Sequence, residues 1–106
     1  KKENICLNID NLVYITSQGN YASFYIKKDD GSLKEKILRV TLSKIENELE
    51  DYTKVIRCHK SYIVNTNFID DISGNARGYL LKSTIIPFDI PVSRSFSKQS
   101  LMSFLD

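Results

Sequence analysis

Short runs of β-forming residues, each closed by a turn signal, are the feature that most limits how this chain can fold. Residues 12–16 and 21–26 are two such runs, and the polar segment 17–20 between them contains a glycine. The pair Asp30-Gly31, which is typical of a β-hairpin turn, precedes a more charged run at residues 33–40. Charged side chains favour the edge of a sheet because they discourage pairing with other chains. The pattern predicts antiparallel strands with residues 33–40 at the edge.

One helix interrupts the β pattern in the middle of the chain. Leu42, Ile45 and Leu49 recur at helical spacing and form a narrow apolar stripe. Thr41 or Ser43 is the expected N-cap, since either hydroxyl can accept a hydrogen bond from a free N–H of the first turn. The other side of the helix is acidic, with Glu46, Glu48 and Glu50. We therefore expect this helix to cover a sheet rather than to bind phosphates.

The second half of the chain returns to β-type sequence and ends in a helix. Residues 68–72 and 79–82 are expected to pair as antiparallel strands around a turn. Residues 85–88 form at most an edge strand, because the proline among them has no N–H to donate. Ser93 offers an N-cap to a last helix that runs towards Leu105.

Together these elements are expected to form one mainly β domain. Alternation at residues 5–9 adds a short strand near the N-terminus. The elements together predict a mainly β fold with one short mid-chain helix and one C-terminal helix. We assign residues 1–106 to a single domain, because no linker, repeat or low-complexity segment divides them.

The composition is that of an ordinary globular domain. The chain has 106 residues, of which 42% are apolar and 26% charged, and no apolar run approaches the roughly 18 residues of a membrane span. Cys6 and Cys58 match no disulfide framework, which is typical of proteins in the reducing cytoplasm. Since the chain starts directly in structured-looking sequence without a methionine, we expect a domain excised from a longer protein.

The residues that enzymes and metal sites need are sparse. His59 is the single histidine, so no multi-histidine metal site is available, and no glycine-rich phosphate loop is present. Cys58 and His59 are neighbours on an expected strand, where consecutive side chains point to opposite faces and do not form a nucleophile–base pair. We predict a recognition module with no catalytic residues, no cofactor and no metal.

Three polar segments stand where regular elements begin or end. They lie at residues 18–21, 59–61 and 93–94, and they are rich in asparagine, glutamine, lysine and arginine. These residue types hydrogen-bond base edges or contact phosphates. Each segment alone fits an ordinary turn or cap. Taken together they favour nucleic-acid binding, although the net charge of +2 is too small to decide the matter.

A set of motifs accompanies these segments in a fixed order. The motifs are Leu12-Val13-Tyr14-Ile15, Gly19-Asn20-Tyr21, Thr41-Leu42, the block Arg57-x-His59-Lys60-Ser61-Tyr62-Ile63-Val64-Asn65, Ile69 and Pro91-Val92-Ser93-Arg94. With them the sequence resembles the LytTR DNA-binding domain of bacterial response regulators over nearly its whole length. The nine-residue block is the most specific part of this resemblance.

The resemblance implies an elongated stack of small antiparallel β-sheets with short helices. It implies sequence-specific binding of double-stranded promoter DNA, with loops in the major groove, by the output domain of a two-component transcriptional regulator. An N-terminal receiver or sensor domain is expected in the full-length bacterial protein, which acts in the cytoplasm. The fragment is expected to be a monomer without membrane contacts, and two copies are expected to occupy direct repeats on promoter DNA.

The resemblance also assigns DNA contacts to three loops and their flanks. These candidates are Asn20, Tyr21, His59, Lys60, Ser93, Arg94, Arg57 and Lys98. Arg94 is the strongest candidate for reading a base, because arginine is the usual bidentate partner of guanine. Lys60 is next, and His59 serves either as a contact or as a brace behind the loop. Arg57, Ser93 and Lys98 are expected to contact phosphates and to position the domain.

Two alternatives remain open from the sequence. The first is a small β-rich module that binds a protein or peptide along the edge at residues 33–40. The second is an RNA or single-strand binder that uses tyrosines as stacking platforms. Its candidate tyrosines are Tyr14, Tyr21, Tyr25 and Tyr62.

Overall fold

The computed structural model describes residues 8–75 and 77–105, which form two antiparallel sheets and two helices. The larger sheet has the order β3-β2-β1-β5-β4 and the smaller one the order β6-β7-β8. The strands are β1 (Leu12–Gln18), β2 (Tyr21–Lys27), β3 (Leu33–Leu38), β4 (Val55–His59), β5 (Tyr62–Asn65), β6 (Asp71–Asn75), β7 (Gly78–Lys82) and β8 (Ile90–Pro91). The helices are α1 (Leu42–Glu48) and α2 (Lys98–Leu105), and Ile9–Asn11 and Thr66–Phe68 are 3-10 turns. The mainly β fold with a mid-chain and a C-terminal helix is confirmed, and the domain measures 42 × 30 × 24 Å.

The larger sheet separates two apolar clusters. On one face, α1 packs Leu42 and Ile45 against Ile15 of β1 and Ile63 of β5. On the other face lie the smaller sheet and α2. Their apolar contacts form the cluster Val13, Tyr14, Cys58, Val64, Ile69, Leu81, Ile86, Ile90, Val92 and Leu101. Each fully buried aliphatic side chain contributes about 1.5–3 kcal/mol, so the sheet is stabilised from both faces.

Asn65 is a buried polar residue that links two strands of the larger sheet. It is only 2% exposed, and its Nδ2 donates to the carbonyls of Leu12 at 2.9 Å and Ile9 at 3.3 Å. Its Oδ1 accepts from the backbone N–H of Asn67 at 3.0 Å. A buried amide must find such partners because desolvating it without them costs free energy. Asn65 therefore ties the end of β5 to the start of β1.

The local predictions for the first half of the chain agree closely with the structure. The first two runs are strands β1 and β2, and the charged run forms β3 at the edge of the sheet. Thr41 is the N-cap of α1, since its Oγ1 accepts from the N–H of Lys44 at 3.2 Å. The predicted strand at residues 5–9 falls mostly outside the described residues, and Ile9 belongs to a 3-10 turn.

The second half departs from prediction at two places. The strand expected at 68–72 begins only at Asp71, because the Asn65 side chain holds Thr66–Phe68 in a 3-10 turn. Residues 85–88, for which an edge strand was the upper limit, form no strand, since the Ser83 hydroxyl accepts from the N–H of Ile85 and bends the chain locally. The proline-containing edge strand is instead β8. The expected start of the last helix at Ser93 is also wrong, because α2 begins at Lys98.

The hairpin between β6 and β7 generates a stability prediction. Gly74 has φ of 94°, and a Cβ at this position would collide with the Gly78 carbonyl oxygen. Gly74→Ala should cost about 2 kcal/mol and lower the thermal midpoint by roughly 10 °C. Gly78→Ala is the control, because a Cβ there meets no atom within 4 Å. Equal midpoints for the two variants in a calorimetric scan would contradict this account.

The burial of Cys58 generates a second prediction. The side chain is fully buried, and this burial raises the pKa of the thiol to about 12. Thiolate is the reactive species, so the folded protein should react negligibly with Ellman's reagent at pH 8. The Cys6→Ser variant isolates Cys58 in this assay. Full labelling should appear once that variant is unfolded in guanidinium, and rapid labelling of its folded state would show that Cys58 is accessible.

Candidate nucleic-acid interface

The β1–β2 turn presents the first candidate residues at one end of the larger sheet. Gln18 pairs with Tyr21, so Gly19 and Asn20 alone form the turn. Gly19 has φ of 63°, as the first central position of a type II′ hairpin requires. The strand thus continues through Ser17 and Gln18, which sequence analysis had assigned to the loop. Asn20 is exposed, and Tyr21 has 48% of its surface exposed.

The β4–β5 turn places the second candidates beside the first. His59 pairs with Tyr62, and Lys60 and Ser61 form the turn. Because β1 and β5 are antiparallel neighbours, this turn lies at the same end of the sheet as the β1–β2 turn. A backbone hydrogen bond of 3.1 Å from the N–H of Ser17 to the carbonyl of Ser61 joins the two. Lys60 is exposed, while His59 is half-buried.

The imidazole of His59 is oriented by two contacts. Its Nδ1 accepts a hydrogen bond from the N–H of Ser61 at 3.1 Å, and its ring meets Tyr62 edge-on with centroids 5.8 Å apart. Because Nδ1 is the acceptor, a neutral ring carries its proton on Nε2. His59 therefore braces the turn with one nitrogen and retains a donor on the other.

The third candidate segment runs alongside β4. The N–H of Ser93 donates to the carbonyl of Cys58 at 2.7 Å, which brings Ser93 and Arg94 next to the β4–β5 turn. Ser93 Oγ accepts from the N–H of Ser95 and bonds the hydroxyl of Ser95. Arg94 is exposed in the resulting turn. Its side chain makes no hydrogen bond or ion pair with any residue that the structure describes.

The start of α2 corrects two expectations about this segment. Ser93 does not cap the helix; Ser97 does so, since its Oγ accepts from the N–H of Ser100 at 3.1 Å. Ser93 is instead held by β4 and by its own turn. Lys98 is the first residue of α2 rather than a residue one turn into a helix begun at Ser93. Arg94 and Lys98 therefore lie on different elements.

Arg57 lies in a place that the sequence did not predict. Its Nη1 donates to Ser43 Oγ at 3.0 Å and to Glu46 Oε1 at 3.4 Å, both on α1. Its Nη2 donates to the carbonyl of Lys60 at 2.8 Å, and 25% of its side chain is exposed. Sequence analysis missed Ser43 and Glu46 as its partners, because nothing in their local pattern indicates a contact with a distant strand.

Aromatic residues form a packed row behind the candidate loops. Tyr14 stacks on Tyr25 with ring centroids 4.3 Å apart, and Phe88 packs against Tyr14 and Tyr62 at 5.6 and 6.0 Å. Burial, followed by the nearby Tyr25, raises the pKa of Tyr14 to about 12. These ring contacts engage Tyr14, Tyr25 and Tyr62, three of the four tyrosines proposed as stacking platforms, in packing within the protein. Only Tyr21 has the exposure that a base would need.

The structure thus brings six of the eight candidate residues to one end of the domain. The six are Asn20, Tyr21, His59, Lys60, Ser93 and Arg94, and backbone bonds link the three segments that carry them. Their free groups are mainly hydrogen-bond donors, including one ammonium and one guanidinium. Groups of this kind can bind an anionic surface that also presents hydrogen-bond acceptors. Across residues 8–75 and 77–105, no cluster of histidine, cysteine and carboxylate side chains is arranged to hold a metal ion.

Comparisons with known proteins find a matching family profile and a similar solved structure. The sequence profile described as the LytTr DNA-binding domain matches residues 2–104. Among solved structures, the chain is similar to the LytTr DNA-binding domain of a protein described as a methyl-accepting/DNA response regulator from Bacillus cereus. The two are 22% identical, with a TM-score of 0.73 over 95% of this chain and 86% of that one. A search of curated protein sequences finds no significant match.

The structural similarity, at this level of identity, supports the fold, and the profile identifies the family. Within the described residues, neither helix has the length and apolar character needed to cross a membrane. The profile covers nearly the whole sequence, including all three candidate segments. The chain therefore belongs to the LytTR family of DNA-binding domains.

Proposed function

We propose that this chain binds double-stranded promoter DNA in a sequence-specific manner, as the output domain of a bacterial transcriptional regulator. The observation that carries the proposal is the meeting of three exposed polar segments at one end of the larger sheet. The β1–β2 turn and the β4–β5 turn are joined through Ser17 and Ser61, and the third segment is joined through Cys58 and Ser93. Loops held together in this way can enter one groove as a unit.

Each loop has a different role in this proposal. Arg94 reads a base, because a guanidinium forms two parallel hydrogen bonds with the O6 and N7 atoms of guanine. Lys60 contributes a second contact in the groove, and the Nε2–H of His59 donates to a base acceptor or a phosphate. Asn20 and Tyr21 approach the neighbouring part of the groove. Ser93 and Lys98 contact phosphates, which fixes the register of the domain on the duplex.

The chain is proposed to act as one domain of a longer cytoplasmic regulator with an N-terminal receiver or sensor domain. Alone it is a monomer, and two copies bind direct repeats when the regulatory domain joins them. The net charge of +2 implies weak non-specific attraction, so that most of the affinity comes from specific contacts. The exposed edge strand β3 offers an alternative site for a peptide, although Lys34 and Lys36 protect it.

A binding assay tests the proposal directly. Wild-type protein is used to select duplexes from a random library, and the selected duplex is compared with its single strands and with random duplex at two salt concentrations. We expect at least 10³-fold preference for the selected duplex over random duplex. Amide signals of residues 19–21, 59–61 and 93–94 should shift on titration. Equal affinity for single strands, or shifts confined to β3, would contradict the proposal.

The roles of Arg94 and Lys98 make a sharper prediction. Arg94→Ala should weaken binding to the selected duplex about tenfold or more and binding to random duplex little, since about 1–3 kcal/mol of discrimination is lost. Arg94→Lys should rescue poorly, because it keeps the charge but not the planar fork. Lys98→Ala should weaken both duplexes alike and reduce the salt slope by about one. Equal losses on both duplexes for Arg94→Ala would reduce Arg94 to a phosphate contact.

A further inference from the structure

We propose that Arg57 is a positioning residue, through which helix α1 sets the geometry of the β4–β5 turn without touching DNA. The inference rests on the proposed function of that turn. The guanidinium bridges two hydrogen-bonding groups of α1, on Ser43 and Glu46, and one carbonyl of the turn, on Lys60. It therefore joins a helix on the face of the sheet to a loop at its end.

The bond from Arg57 to the Lys60 carbonyl is one of two side-chain hydrogen bonds to the same peptide unit. The Lys60 carbonyl accepts from Arg57, and the N–H that follows, on Ser61, donates to Nδ1 of His59. In a trans peptide these two groups point in opposite directions. Arg57 and His59 therefore hold the Lys60–Ser61 peptide plane by hydrogen bonds to its carbonyl oxygen and to its N–H. The orientation of this plane sets the direction in which the Lys60 side chain leaves the turn.

A shift of register in β4 allows Arg57 and His59 to make their contacts on opposite faces of the sheet. Ile56 pairs with Val64 and His59 with Tyr62, so Arg57 and Cys58 together face Ile63. This is a β-bulge, which re-aims the side chains around it. Residues two apart in a regular strand share a face. Here Arg57 bonds α1, while the ring of His59 meets Tyr62 on the side of the second apolar cluster.

The observed contacts favour positioning over a direct phosphate contact by Arg57. Three of the five guanidinium N–H groups already donate to Ser43, Glu46 and Lys60, and the carboxylate of Glu46 repels an approaching anion. Its Nε is buried and has no hydrogen-bond partner among the described residues. Helix α1 is fixed independently by its Thr41 cap and by the burial of Leu42 and Ile45. It offers Arg57 a rigid anchor.

Glu46→Gln and Glu48→Gln form a matched pair that tests this role. Both remove one negative charge from α1, and Glu48 makes no hydrogen bond or ion pair within the described part of the chain. Glu46→Gln should weaken binding to the selected duplex about fivefold, the loss expected when a charge-assisted anchor is weakened, with its salt slope unchanged. Glu48→Gln should leave that affinity unchanged or slightly higher. Identical behaviour of the two variants would overturn the proposal.

Variants of Arg57 separate the two roles further. Arg57→Ala and Arg57→Lys should both lower the preference for selected over random duplex, and neither should change the salt slope. If Arg57 contacts a phosphate, Arg57→Ala instead weakens both duplexes alike and reduces the slope by about one, and Glu46→Gln raises affinity for both. Thermal unfolding checks that each variant is folded. The Glu46→Gln result stands by itself if Arg57→Ala does not fold.

A measurement without DNA distinguishes failure of this inference from failure of the proposed function. The carbonyl ¹³C shift of Lys60 and the amide shift of Ser61 report the two bonds to the peptide plane. Both should move in Glu46→Gln and stay in place in Glu48→Gln. Unmoved shifts in Glu46→Gln overturn the positioning role even where wild type binds its duplex. Moved shifts with no selected duplex leave the positioning role intact and reject the proposed function.

Discussion

The pairing of β1 with β5 is the constraint on which the rest of the structure depends. It joins two hairpins that are far apart in sequence, with Tyr14 opposite Val64 and Thr16 opposite Tyr62. Closing such a long loop costs conformational entropy, so the pairing needs strong compensation. Asn65 provides part of it through a bond to the Leu12 carbonyl, across 53 residues of sequence, and the apolar clusters on both faces provide the rest. Because the strands are antiparallel, this one pairing also places both hairpin turns at the same end of the sheet.

Sequence reasoning succeeded where the signal was local. Runs of β-forming residues closed by turn signals located β1 and β2, and the stripe of Leu42, Ile45 and Leu49 located α1. It failed where short polar side chains bond the nearby backbone. Asn65 turns the chain before β6, and Ser97 rather than Ser93 caps α2. Several serines are equally plausible caps in the sequence, and only packing decides which of them lies at the helix start.

The sequence predicted which residues belong to the candidate interface, but it did not predict the contacts that each of them makes. The resemblance located the three segments, and the structure places six of the eight candidates together. Sequence could not reveal that the Arg57 guanidinium is bonded to α1, because that contact depends on the bulge in β4 and on the packing of a helix 11 residues away. An ion pair as exposed as Arg57–Glu46 contributes at most about 1 kcal/mol to stability. The positioning role that we propose for Arg57 does not depend on a large contribution of this pair to stability.

Strand β4 shows how a few residues connect the core to the second and third candidate segments. Arg57 reaches α1 and the Lys60 carbonyl, His59 holds the N–H of Ser61, and Cys58 lies between them in the core. The carbonyl of Cys58 accepts from Ser93, and its Sγ lies 3.6 Å from the Pro91 carbonyl. The third segment is thus seated on the same strand that braces the second. We expect a larger side chain at Cys58 to displace both segments, because the buried thiol adjoins the carbonyls of Tyr62 and Pro91.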